Sequence, residues 1–311
     1  MRLAIAAAAA LSLMVSGASA DTRVTYKSAK TGTSYYQMAV QLAESMPDGI
    51  AMTVEESQGS VQNVMESAIR GGDYVFTTPP ALVRLAGAGK AMFEARANPK
   101  FKEIRALFPI PSLTMHFVVR ADQNVETLAD LKGKTILLGK GSFGAREGAK
   151  YLGLFGLEGE VEVADAELSN AVAALKNGQI DAFVTAGSFP APNVVEAAAG
   201  TGVTVVSLTD EEVAATKRTR LVIPAGTYPG QTDEIVTTSL PVVAYTTSQM
   251  DDDTAYTLTK AYWEQKSALS ETAKWWDGVT PDFVQNIDGK IHAGALRYYD
   301  EIGVAVPETA R

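Results

Sequence analysis

Apolar positions along the chain fall into two alternating rhythms. Short runs carrying β-branched and aromatic residues, Arg23–Lys27, Ala51–Glu55, Tyr74–Thr78, Thr135–Leu138 and Ile180–Thr185, read as strands. Helical spacing follows them: Ala39, Leu42, Ala43 and Met46 after the first, Val61, Val64, Met65 and Ala68 after the second, Ala145, Gly148, Ala149 and Leu152 after the fourth. Pro79-Pro80 suits the first turn of a helix after the third strand, and a further helix is predicted from about Pro192. Ser34 with Gln37 forms a capping-box pattern, and Gly71-Gly72 is a stop signal. Strand and helix alternating in this way predict an α/β fold.

The segments joining strand to helix share a chemistry. Ser28 to Thr33, Ser57-Gln58-Gly59-Ser60, Gly139 to Gly144 and Gly187-Ser188 each present Ser, Thr or Gly where a helix begins. Unpaired N–H groups and the positive end of the helix dipole attract carboxylate or phosphate there, and ligands of open parallel sheets bind beyond the carboxyl ends of the strands. For Ser34, Ser60, Ser142 or Ser169 alone, an ordinary N-cap is the simpler reading. Their recurrence points to an anion site.

Composition narrows the context. The first twenty residues, MRLAIAAAAALSLMVSGASA, combine basic Arg2, an apolar stretch and Ala18-Ser19-Ala20, the pattern of a leader cleaved after Ala20 for export to the periplasm. No Cys follows, so a lipid anchor is not expected. The chain contains no Cys at all, which removes disulfides, thiol nucleophiles and thiolate metal sites. Its 27 basic and 36 acidic residues give a net charge of −9, which argues against nucleic acid or an anionic membrane as partner.

Catalytic patterns are weak. Gly139-Lys140-Gly141-Ser142-Phe143-Gly144 is formally G-x-G-x-x-G, with Asp165 some twenty residues on after a possible strand, Val161 to Ala164. An exported chain has no nicotinamide pool, and the βαβ unit of any binding lobe gives the same spacing. No P-loop is present. His116, inside the apolar run Leu113 to Val119, reads as a core or hinge residue, and His292 as a surface or packing position on a C-terminal helix. Asp251-Asp252-Asp253 precedes the helical stretch Thr254 to Lys266, where acids suit the dipole. Trp275-Trp276 reads as packing between C-terminal helices, with stacking on a ligand as the alternative. No metal, cofactor or enzymatic activity is expected.

Five strings, in order, resemble a known family: Thr31-Gly32-Thr33-Ser34-Tyr35-Tyr36, Gly59-Ser60-Val61-Gln62-Asn63, Thr127 to Lys134 (TLADLKGK), Leu175 to Phe183 (LKNGQIDAF) and Ile223 to Gln231 (IPAGTYPGQ). The chain is similar over nearly its whole exported length to the TAXI-type solute receptors of tripartite ATP-independent periplasmic (TRAP) transporters, within the NMT1-like type II periplasmic binding proteins. The resemblance implies two α/β lobes, each a mixed sheet flanked by helices, with a ligand cleft between them. After the leader (1–20), residues 21–115 would form the first lobe, 116–235 the second, and 236–311 the return to the first lobe with C-terminal helices.

Carried onto this chain, the resemblance assigns Gly32, Thr33, Ser34, Tyr35 and Tyr36 to one wall of the cleft, Ser57, Gly59, Ser60 and Thr78 to an adjoining edge, and Ser142, Phe143, Gly144, Ala145 and Arg146 to the facing wall. Gly187, Ser188 and Phe189 would lie beside it. A ligand carboxylate would meet the backbone around Ser142 to Ala145, and Arg146 would add a charge-assisted bond. The family loop usually reads like G-S-G-T, whereas here Phe143 and Ala145 flank Gly144. Phe143 either shrinks the pocket or stacks on a planar group, and one Thr hydroxyl is lost. The function implied is a monomeric receptor that captures a small carboxylate, glutamate or a relative such as 2-oxoglutarate, and delivers it to membrane permease subunits. A sensing subunit for a membrane kinase, or an exported enzyme on the same fold, are the alternatives.

Overall fold

In the computed structural model, residues 22–311 are described, so the expected leader lies outside them. The first part of the chain runs β1 (Thr22–Lys27), α1 (Ser34–Glu44), β2 (Ile50–Glu55), α2 (Ser60–Glu66), β3 (Tyr74–Thr78) and α3 (Pro80–Gly87). A long strand, β4 (Ile104–Arg120), leads to β5 (Thr135–Leu137), α4 (Phe143–Leu154), β6 (Glu162–Ala164), α5 (Ala171–Lys176), β7 (Ala182–Gly187) and α6 (Pro192–Thr201). Then come β8 (Val203–Val205), α7 (Asp210–Thr216), β9 (Thr219–Ile223), a second long strand β10 (Ile235–Thr247), and α8 (Asp252–Glu264), α9 (Lys266–Thr272) and α10 (Ala293–Glu301).

The strands form one curled sheet in the order β2-β1-β3-β10-β4-β7-β5-β6, with β8 on β4 and β9 on β10. Pairs joined through helices, β1 with β2 and β3, β5 with β6 and β7, are parallel, because a strand-helix-strand crossover returns the chain in the same direction. The two long strands are antiparallel to their neighbours and change partners midway. The first part of β4 pairs with β10 as far as Thr114 opposite Ser239, and beyond Thr114 it pairs with β7. The first part of β10, up to Ser239, pairs with β9. Two groups of strands are therefore strung on two shared strands that pass from one group to the other near Thr114 and Ser239, the crossing point of a mixed α/β architecture with two halves.

Packing follows the periodicity. β3 is buried along its whole length, as a strand covered by helices on both faces should be. Helix α4 sits close on β7 because it offers glycine there: a Cβ on Gly144 would lie 2.9 Å from Ala186 Cβ, and one on Gly148 3.2 Å from Val184 Cγ1. Glu147 on α4 receives two hydrogen bonds from Arg218, at 2.8 and 3.0 Å, and the Tyr151 and Thr238 hydroxyls meet at 2.6 Å, tying α4 to β10.

Some expectations shift by a residue or a role. The cap of α1 is Thr33, whose Oγ1 accepts from Tyr36 N, and not Ser34 with Gln37. Ser142 does cap α4, accepting from Ala145 N at 2.9 Å, whereas Ser60 opens α2 behind an uncapped Gly59, and Ser169 lies in an exposed turn before α5. His292 is a buried residue, and its ring accepts from Gly294 N as the N-cap of α10. Asp251 caps α8, accepting from Thr254 N.

Candidate functional site

Three strand-to-helix loops, after β1, β2 and β5, open onto one narrow cleft of about 60 Å³. Ser28, Lys30, Thr33 and Tyr35 line one side, with Gln58, Gly59, Ser60 and Thr77 adjoining. Gly139, Lys140, Ser142, Phe143 and Gly144 face them, and Leu113 of β4 and Val242 of β10 contribute from the long strands. The facing loops are close: a Cβ on Gly59 would lie 4.0 Å from Phe143 N. Gly59 itself sits at φ +115°, a conformation L side chains rarely adopt, so the loop needs glycine there.

Two long helices start at this cleft, and their first N–H groups have no acceptor within the helix. In α4, Ser142 Oγ takes the Ala145 N–H, leaving the amides of Phe143 and Gly144 at the cleft. Thr33, Ser60 and Lys30 line the opposite side, the Thr33 hydroxyl donating to Lys30 O at 2.7 Å as it caps α1. Lys30 Nζ is 3.2 Å from Glu167 Oε2, and Gln58 Nε2 is 3.5 Å from Glu167 Oε1, so one carboxylate from the segment before α5 joins both loops of the opposite side. Lys140 is likewise paired, 2.8 Å from Asp165 Oδ1. Asp165, the acid some twenty residues beyond the glycine loop, thus pairs with that loop's own lysine. Donors with positive helix ends, polar hydroxyls and two paired lysines suit an anion, and a zwitterion equally, since Glu167 supplies a counter-charge.

The structure brings Thr33, Tyr35, Gly59, Ser60, Ser142, Phe143 and Gly144 together at the cleft. The other sequence-derived site residues lie elsewhere. Gly32 is in the exposed turn before the cap, at φ +85°, and Tyr36 is half-buried behind it. Ser34 accepts from Ser188 N at 2.9 Å, and Gly187 packs against that hydroxyl: a Cβ on Gly187 would lie 2.6 Å from Ser34 Oγ. The three residues form a junction between the halves of the molecule. Ser57 is buried and braces its own loop, donating to Ser28 O and accepting from Gly59 N. Thr78 is fully buried, and its hydroxyl finds no partner among the described residues; its neighbour Thr77 reaches the cleft instead. Ala145 packs against the core, and Arg146 is exposed on the outer face of α4, outside the lining.

Lys30 is the basic residue from the first loop that reaches the cleft. Lys27 is buried and held by Glu55 and Glu66, at 3.4 and 3.0 Å. The buried Tyr35 hydroxyl donates to Pro111 O at 3.0 Å, and burial pushes its pKa well above the usual phenol range, so it stays a neutral donor. Ser188 and Phe189 line a different, larger cavity of about 410 Å³ together with Trp275, Arg220 and Thr114. Trp276, by contrast, is buried and donates to Gln41 Oε1 at 2.8 Å. His116 is fully buried on β4, as its apolar run suggested. Among the described residues no group of three or more His, Asp or Glu is placed to hold a metal ion.

Residues 27–303 match the NMT1-like family. Among solved structures, a periplasmic transporter superposes with a TM-score of 0.56 at 13% identity, covering 90% of this chain and 92% of its own. The periplasmic binding protein BugD gives a TM-score of 0.56 at 11% identity, covering 92% of this chain and 99% of its own. The mixed α/β fold with its curled sheet is thus shared with these proteins, and the chain belongs to the NMT1-like family.

Proposed function

We propose that this chain is the solute receptor of a TRAP transporter of the TAXI type, exported to the periplasm by its leader. It captures a small carboxylate, glutamate or a related dicarboxylate such as 2-oxoglutarate, and passes it to membrane permease subunits. The observation that carries this reading is the start of α4 at the cleft, with the Phe143 and Gly144 amides facing Thr33, Ser60 and Lys30. One ligand carboxylate sits on those amides and beside Ser142. Lys30 reaches a second carboxylate, or Glu167 an ammonium. No cofactor takes part.

At about 60 Å³ the cleft is far smaller than the roughly 300–1,000 Å³ of small-molecule sites, so the ligand enters by separation of the walls. The lobes, 21–115 with 236–311 against 116–235, swing about the crossing of β4 and β10 near Thr114 and Ser239. Opening parts the Lys30–Glu167 pair and the Ser34–Ser188 contact. A ligand touching both walls favours the closed form by its differential affinity, and the permease recognises that form. Phe143 fills part of the cleft, which limits it to small ligands.

A thermal-shift series with glutamate, 2-oxoglutarate, succinate and the uncharged diamide succinamide tests the proposal. A ligand at a hundred times its Kd stabilises the fold by about 2.7 kcal/mol, which raises the melting point of a chain this size by several degrees. The proposal requires a shift with at least one carboxylate and a smaller one with succinamide. No shift with any carboxylate removes it.

A further inference from the structure

The tryptophan pair of the sequence separates in the fold. Trp276 enters the core, while Trp275 stays half-buried and lines the 410 Å³ cavity at the crossing strands. The two cavities share those strands: Leu113 and Val242 line the small cleft, whereas Ser112, Thr114 and Pro241 line the larger space. Around the register shift between Leu240 and Val242, neighbouring residues of both strands line different cavities, so the larger space is distinct from the anion cleft.

Its lining has a composition of its own. Phe189, Trp275 and Phe283, all half-buried, reach it from three segments far apart in sequence. Arg220 on β9 and Lys274 before Trp275 add two cations, with Lys274 Nζ 3.5 Å from Asp277 Oδ2. Asp210 engages Arg220 through Nε alone, at 2.8 Å, which leaves the outer guanidinium N–H groups as donors. The Trp275 indole N–H is already satisfied by Gln41 Oε1 at 3.2 Å, so the ring offers an apolar surface. The volume falls within the range of small-molecule sites. Aromatic walls suit a flat ring, stacked or edge-on, and the two cations suit an acidic group at its end.

We propose that this cavity is a second ligand site, separate from the anion cleft, and that it takes a flat aromatic anion. The ring lies among Phe189, Trp275 and Phe283, and the acid group meets Arg220 and Lys274. The proposal is independent of the carboxylate reading of the cleft.

The chain has three Trp, so the indole N–H region of a ¹H–¹⁵N spectrum holds three resonances, and Trp275→Phe assigns one of them. Titration with 2-naphthoate is expected to move the Trp275 resonance saturably. Arg220→Gln combined with Lys274→Gln, both exposed positions, should weaken binding at least tenfold, and neutral 2-naphthamide should bind at least tenfold more weakly than the acid. Ser142→Ala, in the other cleft, should leave the naphthoate titration unchanged. The proposal is overturned if 2-naphthoate leaves the Trp275 resonance in place, if the amide binds as well as the acid, or if Ser142→Ala abolishes the effect. Glutamate binding is read separately in the same samples, so failure here is distinguishable from failure of the cleft.

Discussion

Lowering the pH should weaken the fold through one buried imidazole at the crossing. His116 on β4 has no exposed surface; its Nε2 meets the Tyr228 hydroxyl at 2.8 Å and its Nδ1 meets Thr114 O at 3.1 Å. Tyr228 in turn accepts from Ala191 N at 3.1 Å, and burial raises its pKa, so it remains a protonated donor. The neutral tautomer with the proton on Nδ1 then satisfies every partner. Burial lowers the His116 pKa to about 4, against the opposing backbone hydrogen bonds to Thr114 and Thr185. An unfolded histidine titrates near 6.5, so between these values the unfolded chain binds more protons and stability falls as the pH is lowered. The contribution is intact above about pH 6.5 and lost as pH falls toward 4. Linkage gives a loss of about 2 kcal/mol at pH 5 and about 3 kcal/mol once both states are protonated. Urea unfolding at pH 8 and pH 5, in the native chain and in His116→Gln, isolates this part. The variant is expected to lose about 2 kcal/mol less between the two pH values, whatever its stability at pH 8. The chain has only two histidines, so an imidazole NMR titration reads His116 directly. A His116 midpoint near 6.5, or equal pH losses in both proteins, would refute the reasoning.

Three further outcomes follow from the cleft. Gly144→Val forces a Cβ to within 2.9 Å of Ala186 Cβ and pushes α4 off β7; urea unfolding should show about 1–3 kcal/mol lost and calorimetry a carboxylate affinity down at least tenfold. Ser142→Ala removes the α4 cap, which costs about 1 kcal/mol by the same unfolding assay, and a titration with glutamate should show weaker binding. Glu167→Gln releases Lys30 from its partner, so at low salt calorimetry should find dicarboxylates bound about three- to tenfold more tightly, in line with the modest strength of partly exposed ion pairs.

The alternation of strands and helices was legible because both rest on local periodicity, and β1, α1, β3, α4 and α6 begin close to where it puts them. Ser142 could be identified for the same reason: a serine before a helix, following a glycine turn, is a local cap signal. The cap of α1 falls on Thr33 and not on Ser34 because both offer a hydroxyl at adjacent positions, and local sequence does not separate them. Thr77, not Thr78, reaches the cleft, and because β3 is buried on both faces no polar alternation marks the side that meets it. Leu113, Val242 and Glu167 come to the cleft through pairing between segments far apart, and no local pattern encodes that. Phe189 leaves the cleft for the same reason. β7 ends at Gly187 opposite Thr114, where β4 changes partners, and Phe189 just beyond lines the larger cavity.

The central claim is that a carboxylate sits at the start of α4. A crystal structure of the protein with the most stabilising carboxylate tests it most directly. The account predicts carboxylate oxygens about 2.7–3.2 Å from the Phe143 and Gly144 amide nitrogens, with Lys30 turned from Glu167 toward the ligand. A carboxylate seated away from those amides, or bound only among Arg220, Lys274 and Trp275, would contradict it.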